Sequence, residues 1–285
     1  MKLGKVVYIA IILLLVAVFA VSAFHVGSYW FTSAKEKNQF DELAAMKEEA
    51  AQQASRPVET DPSDTEPPAE TTDPTETTDP TETTEETEPT EPVILAEYAP
   101  IYEKNNDVVG WIKIDGTQID YPVMQTPDRP NYYLHRDFNG TYIEDGAGCI
   151  YIREECDMNK PSDNITVYGH NMLNGSMFRA LLDYEDKEAW EYNPLIFFDT
   201  LYEYHVYKIF AVFKTEASID RGFKYHNMID AYDEEEFNDF IATAKELSFY
   251  DTGITPKYGD KIICLSTCEY TLPNGRFVVA AVRIS

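Results

Sequence analysis

The stretch Lys261-Ile262-Ile263-Cys264-Leu265-Ser266-Thr267-Cys268-Glu269-Tyr270 decides how the rest of the chain is read. An apolar, β-branched run passes into small polar residues and ends on a thiol, the pattern of a buried strand whose tip presents Cys268 at a surface. A short turn through Pro273, Asn274 and Gly275 leads to Arg276, which heads a second apolar run, Phe277-Val278-Val279-Ala280-Ala281-Val282. A hairpin of this form sets the guanidinium near the sulfur. Upstream, Tyr168-Gly169-His170-Asn171-Met172 places a histidine just past another strand, Ile165-Thr166-Val167-Tyr168. Cysteine, arginine and histidine thus all fall at strand ends, where a rigid frame lets side chains converge.

These three residue types suit one chemistry. A free thiol has a pKa near ~8.5, so only a small fraction is thiolate at neutral pH, and nearby positive charge raises its reactivity. Attack on an amide carbonyl creates an oxyanion that needs donors and a leaving amine that needs a proton. The permanently charged Arg276 suits the first task and a protonated His170 the second. Taken singly the residues decide little, because a lone buried cysteine is usually inert core.

Leu265-Ser266-Thr267-Cys268 followed by an arginine on the next strand resembles the sortase signature. Val167-Tyr168-Gly169-His170-Asn171-Met172 with Asn174-Gly175-Ser176-Met177-Phe178 resembles the class B branch, as do Gly110-Trp111-Ile112, Ile119-Asp120-Tyr121-Pro122-Val123, and Tyr133-Leu134 ahead of Asp137-Phe138. The resemblance runs from about Ile94 to the C-terminus, with the motifs in the family's order. It implies a mainly β fold with helices, α+β, built as a closed mixed β-barrel with an N-terminal helix and a helix in a late crossover. It also implies a cysteine transpeptidase whose catalytic residues are Cys268, His170 and Arg276, needing no cofactor and no metal. Its partners would be a sorting-signal peptide of exported proteins, with Pro at the second position and Thr before the scissile bond, and an amine of a cell-wall precursor. Ser266, Thr267, Glu269, Leu134 and Asn171 are the candidate substrate contacts, with turn chemistry the plainer role for Glu269 and Ser266.

Outward from this body, residues 1–31 read as a cytoplasmic tip and transmembrane anchor. Lys2 and Lys5 precede an uncharged apolar run of about 19 residues, Val6 to Phe24, long enough to cross ~30 Å of hydrocarbon. Positive charge ahead of the run argues for a cytoplasmic N-terminus and an extracellular body on a single-pass membrane protein. Tyr29, Trp30 and Phe31 would form an interfacial belt. A cleaved signal peptide is the competing reading, since Val21-Ser22-Ala23 fits a cleavage pattern, but the run exceeds a usual signal core. Residues 32–56, rich in Ala, Glu, Lys and Gln, predict a juxtamembrane helix standing off the membrane.

Residues 57–92 are Thr, Glu, Asp and Pro in near-repeats, a composition that buries no core and repels itself, so a disordered tether is expected. Its 13 acids and no bases supply about half of the net charge of −27. The body is acidic as well, which argues against nucleic acid as a partner.

Residues 93–285 have the length of one catalytic domain. A helix is expected over 95–105, then strands over 108–114, 117–123, 148–152, 164–168, 195–199, 203–215, 260–267 and 276–284. Helical interruptions are expected near 176–182 and over 233–247, where Asp233 is placed as N-cap and Glu236 at the capping-box position. Cys264 and Cys268, four apart in one strand, are too distant to bridge. For Cys149 and Cys156 free buried thiols are the default and a disulfide the alternative. His205 reads as a strand-face residue, His226 as loop, and His135 as lining the groove without chemistry. No spacing suits zinc, and the acids at 233–236 read as a solvated helix start.

Other classes fit less well. A papain-like hydrolase orders its nucleophile before its histidine, the reverse of this chain, and the His-Gly-Cys element of cysteine L,D-transpeptidases is absent. A pilin-polymerising sortase and a non-catalytic binding module on an acidic stalk stay open at this stage.

Overall fold

The computed structural model of the chain describes residues 2–55, 92–144, 146–218 and 220–285; the segment 57–91 of the expected tether lies outside them. Eight strands follow in chain order: β1 (Val108–Lys113), β2 (Asp120–Met124), β3 (Ile150–Ile152), β4 (Asn164–Tyr168), β5 (Leu195–Thr200), β6 (Val206–Glu216), β7 (Ile262–Glu269) and β8 (Gly275–Arg283). They close into a barrel in the spatial order β1-β2-β3-β4-β7-β8-β6-β5. The β2–β3 and β4–β7 pairs are parallel and the others antiparallel, so the barrel is mixed, as expected.

The continuous apolar character of β7 and β8 has a direct cause: both strands are buried on both faces. Ile263, Leu265, Val279 and Ala281 belong to one core cluster, while the alternating Ile262, Cys264, Val278 and Ala280 belong to a second. The second cluster is covered by α4 (Glu234–Leu247), which buries Phe237, Phe240, Ile241 and Ala244. Each large side chain of that stripe contributes about 1.5–3 kcal/mol of burial. Asp233 caps α4 by accepting from the Glu236 N–H at 3.0 Å, and the Glu236 carboxylate reaches back to the N–H of Tyr232, one residue beyond the N-cap partner of the usual capping box.

Short helical pieces complete the body. The opening helix is α2 (Ala99–Lys104), shorter than the stretch expected because the chain enters it through a turn at Tyr98. A 3-10 helix, Arg179–Glu185, stands near the first expected interruption and continues into the unforeseen α3 (Lys187–Tyr192).

The N-terminal segment is helical as expected, and it makes a contact that the sequence did not announce. The apolar run and the juxtamembrane segment form one continuous helix, α1 (Lys2–Ala54), whose C-terminal part lies against the barrel. Phe40 and Leu43 are buried, and the Phe40 ring meets Tyr121 edge-on at 5.2 Å. Glu36 accepts from the Ala147 N–H at 2.8 Å, and the Lys47 ammonium sits 4.4 Å from the Trp111 ring centroid.

Candidate active site

Strand pairing builds the site. In the β7–β8 ladder Cys268 lies directly opposite Arg276, and opposed residues share a face with Cβ atoms ~4.5–5.5 Å apart. In the β4–β7 ladder Tyr168 lies opposite Ser266, and the Gly169 N–H donates to the Ser266 carbonyl at 3.1 Å. Two residues further along each chain stand His170 and Cys268. The two-residue period of a strand puts them on the same face. The Asn171 side-chain amide ties the ends together by donating to the Cys268 carbonyl at 3.1 Å.

Histidine, cysteine and arginine therefore form a row across three neighbouring strand ends, with the thiol in the middle. All three, each half-buried, line one cleft of about 370 Å³. The face is the one that α4 covers lower down: Ile262 and Cys264 lie beneath the helix, and Ser266 and Cys268 follow on the same side. Gly169, just ahead of His170, lets Ile150 and Phe178 pack against the strand end, since a Cβ there would stand 2.5 Å from Ile150 Cδ1 and 2.7 Å from the Phe178 ring.

The imidazole is oriented from outside the row. Its Nε2 lies 2.8 Å from the Leu134 carbonyl. A carbonyl only accepts, so Nε2 carries the hydrogen and the lone pair of neutral His170 is on Nδ1. Burial pushes the pKa of His170 below the ordinary histidine value, the Leu134 carbonyl pulls it back up, and the neighbouring His135 lowers it again. The His135 ring centroid is 5.5 Å away. His170 is thus expected to titrate below ~6.5 by NMR, and His135→Gln to move that midpoint upward. A midpoint above 6.5 in the unmodified protein contradicts the arrangement.

Arg276 is held by its own turn, with Nη1 donating to the Gly275 carbonyl at 3.0 Å and the Asn274 carbonyl at 3.4 Å. A guanidinium has five N–H donors, so donors remain for a ligand in the cleft.

The candidate contacts divide. Leu134, Ser266 and Thr267 line the cleft; the Ser266 hydroxyl lies 2.6 Å from Tyr225 Oη, and the buried Thr267 hydroxyl has no partner among the described residues. Asn171 is spent on the Cys268 carbonyl. Glu269 takes the turn role rather than the substrate contact: its buried carboxylate accepts from the Thr271 and Leu272 N–H groups at 2.6 and 3.1 Å and braces the hairpin turn.

Further lining residues were not singled out from sequence. Tyr151 and Arg153 come from β3 and its exit, Tyr225 and His226 from the loop between β6 and α4. His226 lies in a loop, as expected, and is half-buried in this wall. His205 sits just ahead of β6, buried, 3.1 Å from the Glu203 carboxylate. Cys149, Cys156 and Cys264 are free and buried, and no cluster of metal-ligating side chains occurs among the described residues.

Comparison with known proteins bears on the fold and the family. A family model described as the sortase domain matches residues 112–284. Sortase B of Listeria monocytogenes is 32% identical over 186 residues, covering 64% of this chain and 72% of that protein. The solved sortase B of Bacillus anthracis is 31% identical with a TM-score of 0.60, covering 69% of this chain and 88% of that one. A Staphylococcus aureus sortase B solved as a substrate complex has a TM-score of 0.68 over 88% of this chain and 97% of that one; at 22% identity it speaks to fold alone.

Proposed function

The chain belongs to the sortase family, whose B-type members are cysteine transpeptidases, and on that premise we propose that Cys268, His170 and Arg276 are its catalytic residues. The observation that carries the reading is their row across β4, β7 and β8 in one cleft.

The Cys268 thiol gives its proton to His170 and the thiolate attacks a backbone carbonyl of a sorting signal near the C-terminus of an exported protein. Arg276 donates to the tetrahedral oxyanion. Collapse breaks the C–N bond, and His170 returns the proton to the departing amine, leaving a thioester on Cys268. An incoming amine of a cell-wall precursor attacks that thioester and transfers its proton to His170. The amide product leaves and the thiol is restored.

The structure supports a neutral imidazole at rest, since burial lowers the pKa of His170. A neutral ring is able to accept the thiol proton, and becomes an acid by doing so. Leu134, Ser266 and Thr267 are proposed to contact the bound peptide.

Residues 6–24 are proposed as the membrane anchor, with the N-terminus cytoplasmic, the barrel extracellular, and residues 57–92 as tether. The stretch is apolar and uncharged throughout, and none of it is buried against the protein.

The test is cleavage of a fluorogenic sorting peptide by the full-length protein in detergent, with and without an amine acceptor. Cleavage with formation of the acceptor-linked product is expected. Binding without any covalent turnover would refute the reading.

A further inference from the structure

Leu173 stands at the tip of the loop that leaves His170, and it is 94% exposed. The loop is not loose. Asn171 and Met177 form an isolated bridge, the Gly175 N–H donates to the Met172 carbonyl at 3.1 Å, and Ser176 donates to Asn174 Oδ1 through both its N–H and its hydroxyl, at 3.0 and 2.7 Å. Gly175, with φ of +88°, supplies the turn that a side-chain-bearing residue adopts only with strain. The chain is thus braced on both sides of a leucine that has nothing to pack on.

What lies beside that leucine is the helix α1. Leu173 and Asn174 share a shallow recess with His25, Val26, Tyr29 and Trp30. Those four residues directly follow the apolar run that ends at Phe24. At 1.5 Å per residue, Trp30 stands about 9 Å along the axis from Phe24 and His25 within about 2 Å of it. The polar layer on each side of the hydrocarbon is ~5–8 Å deep. If 6–24 cross the membrane, Leu173 is level with the headgroups.

This height is fixed rather than adjustable, because α1 is clamped to the barrel by Phe40, Leu43 and the Glu36–Ala147 hydrogen bond. Trp30 and Phe31, 59% and 75% exposed, stand at the same level as an aromatic belt.

We propose that Leu173 is a second membrane contact, inserted into the lipid surface beside Tyr29 and Trp30, so that the loop carrying His170 is seated on the bilayer. The inference rests on the reading of α1 as the anchor. Its consequence is that the cleft opens close to the lipid: three residues span at most about 11 Å between the Cα atoms of His170 and Leu173.

The test uses the full-length chain with Cys268→Ala, which leaves the three buried cysteines unlabelled, reconstituted in phosphatidylglycerol–phosphatidylcholine vesicles. A nitrobenzoxadiazole label is attached in turn to Leu14→Cys in the apolar run, Leu173→Cys, and Tyr232→Cys, which is 91% exposed beside the start of α4. Labels at 14 and 173 are expected to lose most of their emission to doxyl-labelled lipids and little to aqueous iodide, with the reverse at 232. Lipid quenching at 14 together with iodide quenching at 173 equal to that at 232 would overturn the proposal and leave the anchor standing. Iodide quenching at all three sites would remove the anchor and the proposal together.

Discussion

Cys268→Ala is expected to abolish turnover of a sorting peptide while leaving peptide binding intact. The loss in kcat/KM should be about 10,000-fold or more, equivalent to about 5 kcal/mol of transition-state stabilisation. No other thiol stands in for it. Cys264 lies on the same face of β7 but is fully buried, and burial pushes its pKa well up. Burial likewise raises Cys149, and pushes Cys156 up to about 11. A thiolate at any of the three would be rare at neutral pH and out of reach of a peptide. Cys268 alone is partly exposed, at the open end of the strand. The alanine variant should melt within a few degrees of the parent, because the change removes one half-exposed atom from a ladder held by backbone bonds. Retained turnover in this variant would remove the mechanism.

His170→Ala should cost about 100- to 10,000-fold in kcat on an amide substrate, the usual range for loss of a general acid–base group. The prediction has a sharper form. An amide cannot expel its amine without a proton, whereas an activated ester expels an alkoxide or phenoxide that needs little help. At a pH of about 9, where the thiol ionises without a base, the variant should therefore recover much of its acylation rate when the same acyl group is presented as an activated ester. A merely structural role, in which the ring props the Leu134 loop through its 2.8 Å hydrogen bond, would depress both substrates alike. Equal losses on amide and ester would count against proton transfer by His170.

Much of the barrel can be read from the chain because its signals are local. The runs Ile262–Leu265 of β7 and Phe277–Val282 of β8 are apolar at every position, and a strand buried on both faces needs that. The α4 cap was legible at Asp233 for the same reason: its side chain answers an N–H three residues on. The shared face of Ser266 and Cys268 followed from strand periodicity alone. The meeting of His170 with Cys268 did not follow from local pattern. It depends on β4 and β7 pairing in parallel across nearly a hundred residues of intervening chain, and only the resemblance to a family made it expected.

The parts that could not be read are those set by loops and by docking. Tyr225 and His226 enter the cleft because the β6–α4 connection folds over the outer face, where nothing in their own neighbourhood announces it. Glu269 beside the nucleophile invited a substrate role, yet the nearest unsatisfied donors were the turn amides at 271 and 272, and they took it. The seat of α1 rests on Ser33, Glu36, Phe40, Leu43 and Lys47, which share one helical face. That stripe mixes polar and charged residues with two apolar ones, so it does not stand out in the sequence as a packed face.

The central claim is a covalent bond between the sulfur at 268 and the peptide. The most direct measurement is mass spectrometry of the protein quenched in acid after mixing with a sorting peptide in the absence of an acceptor. The account predicts a mass gain equal to the acyl fragment, released by hydroxylamine and mapped to the tryptic peptide that contains Cys268. A fragment mapped to any other residue, or turnover with no adduct in the wild-type protein and an undiminished rate in Cys268→Ala, would contradict it.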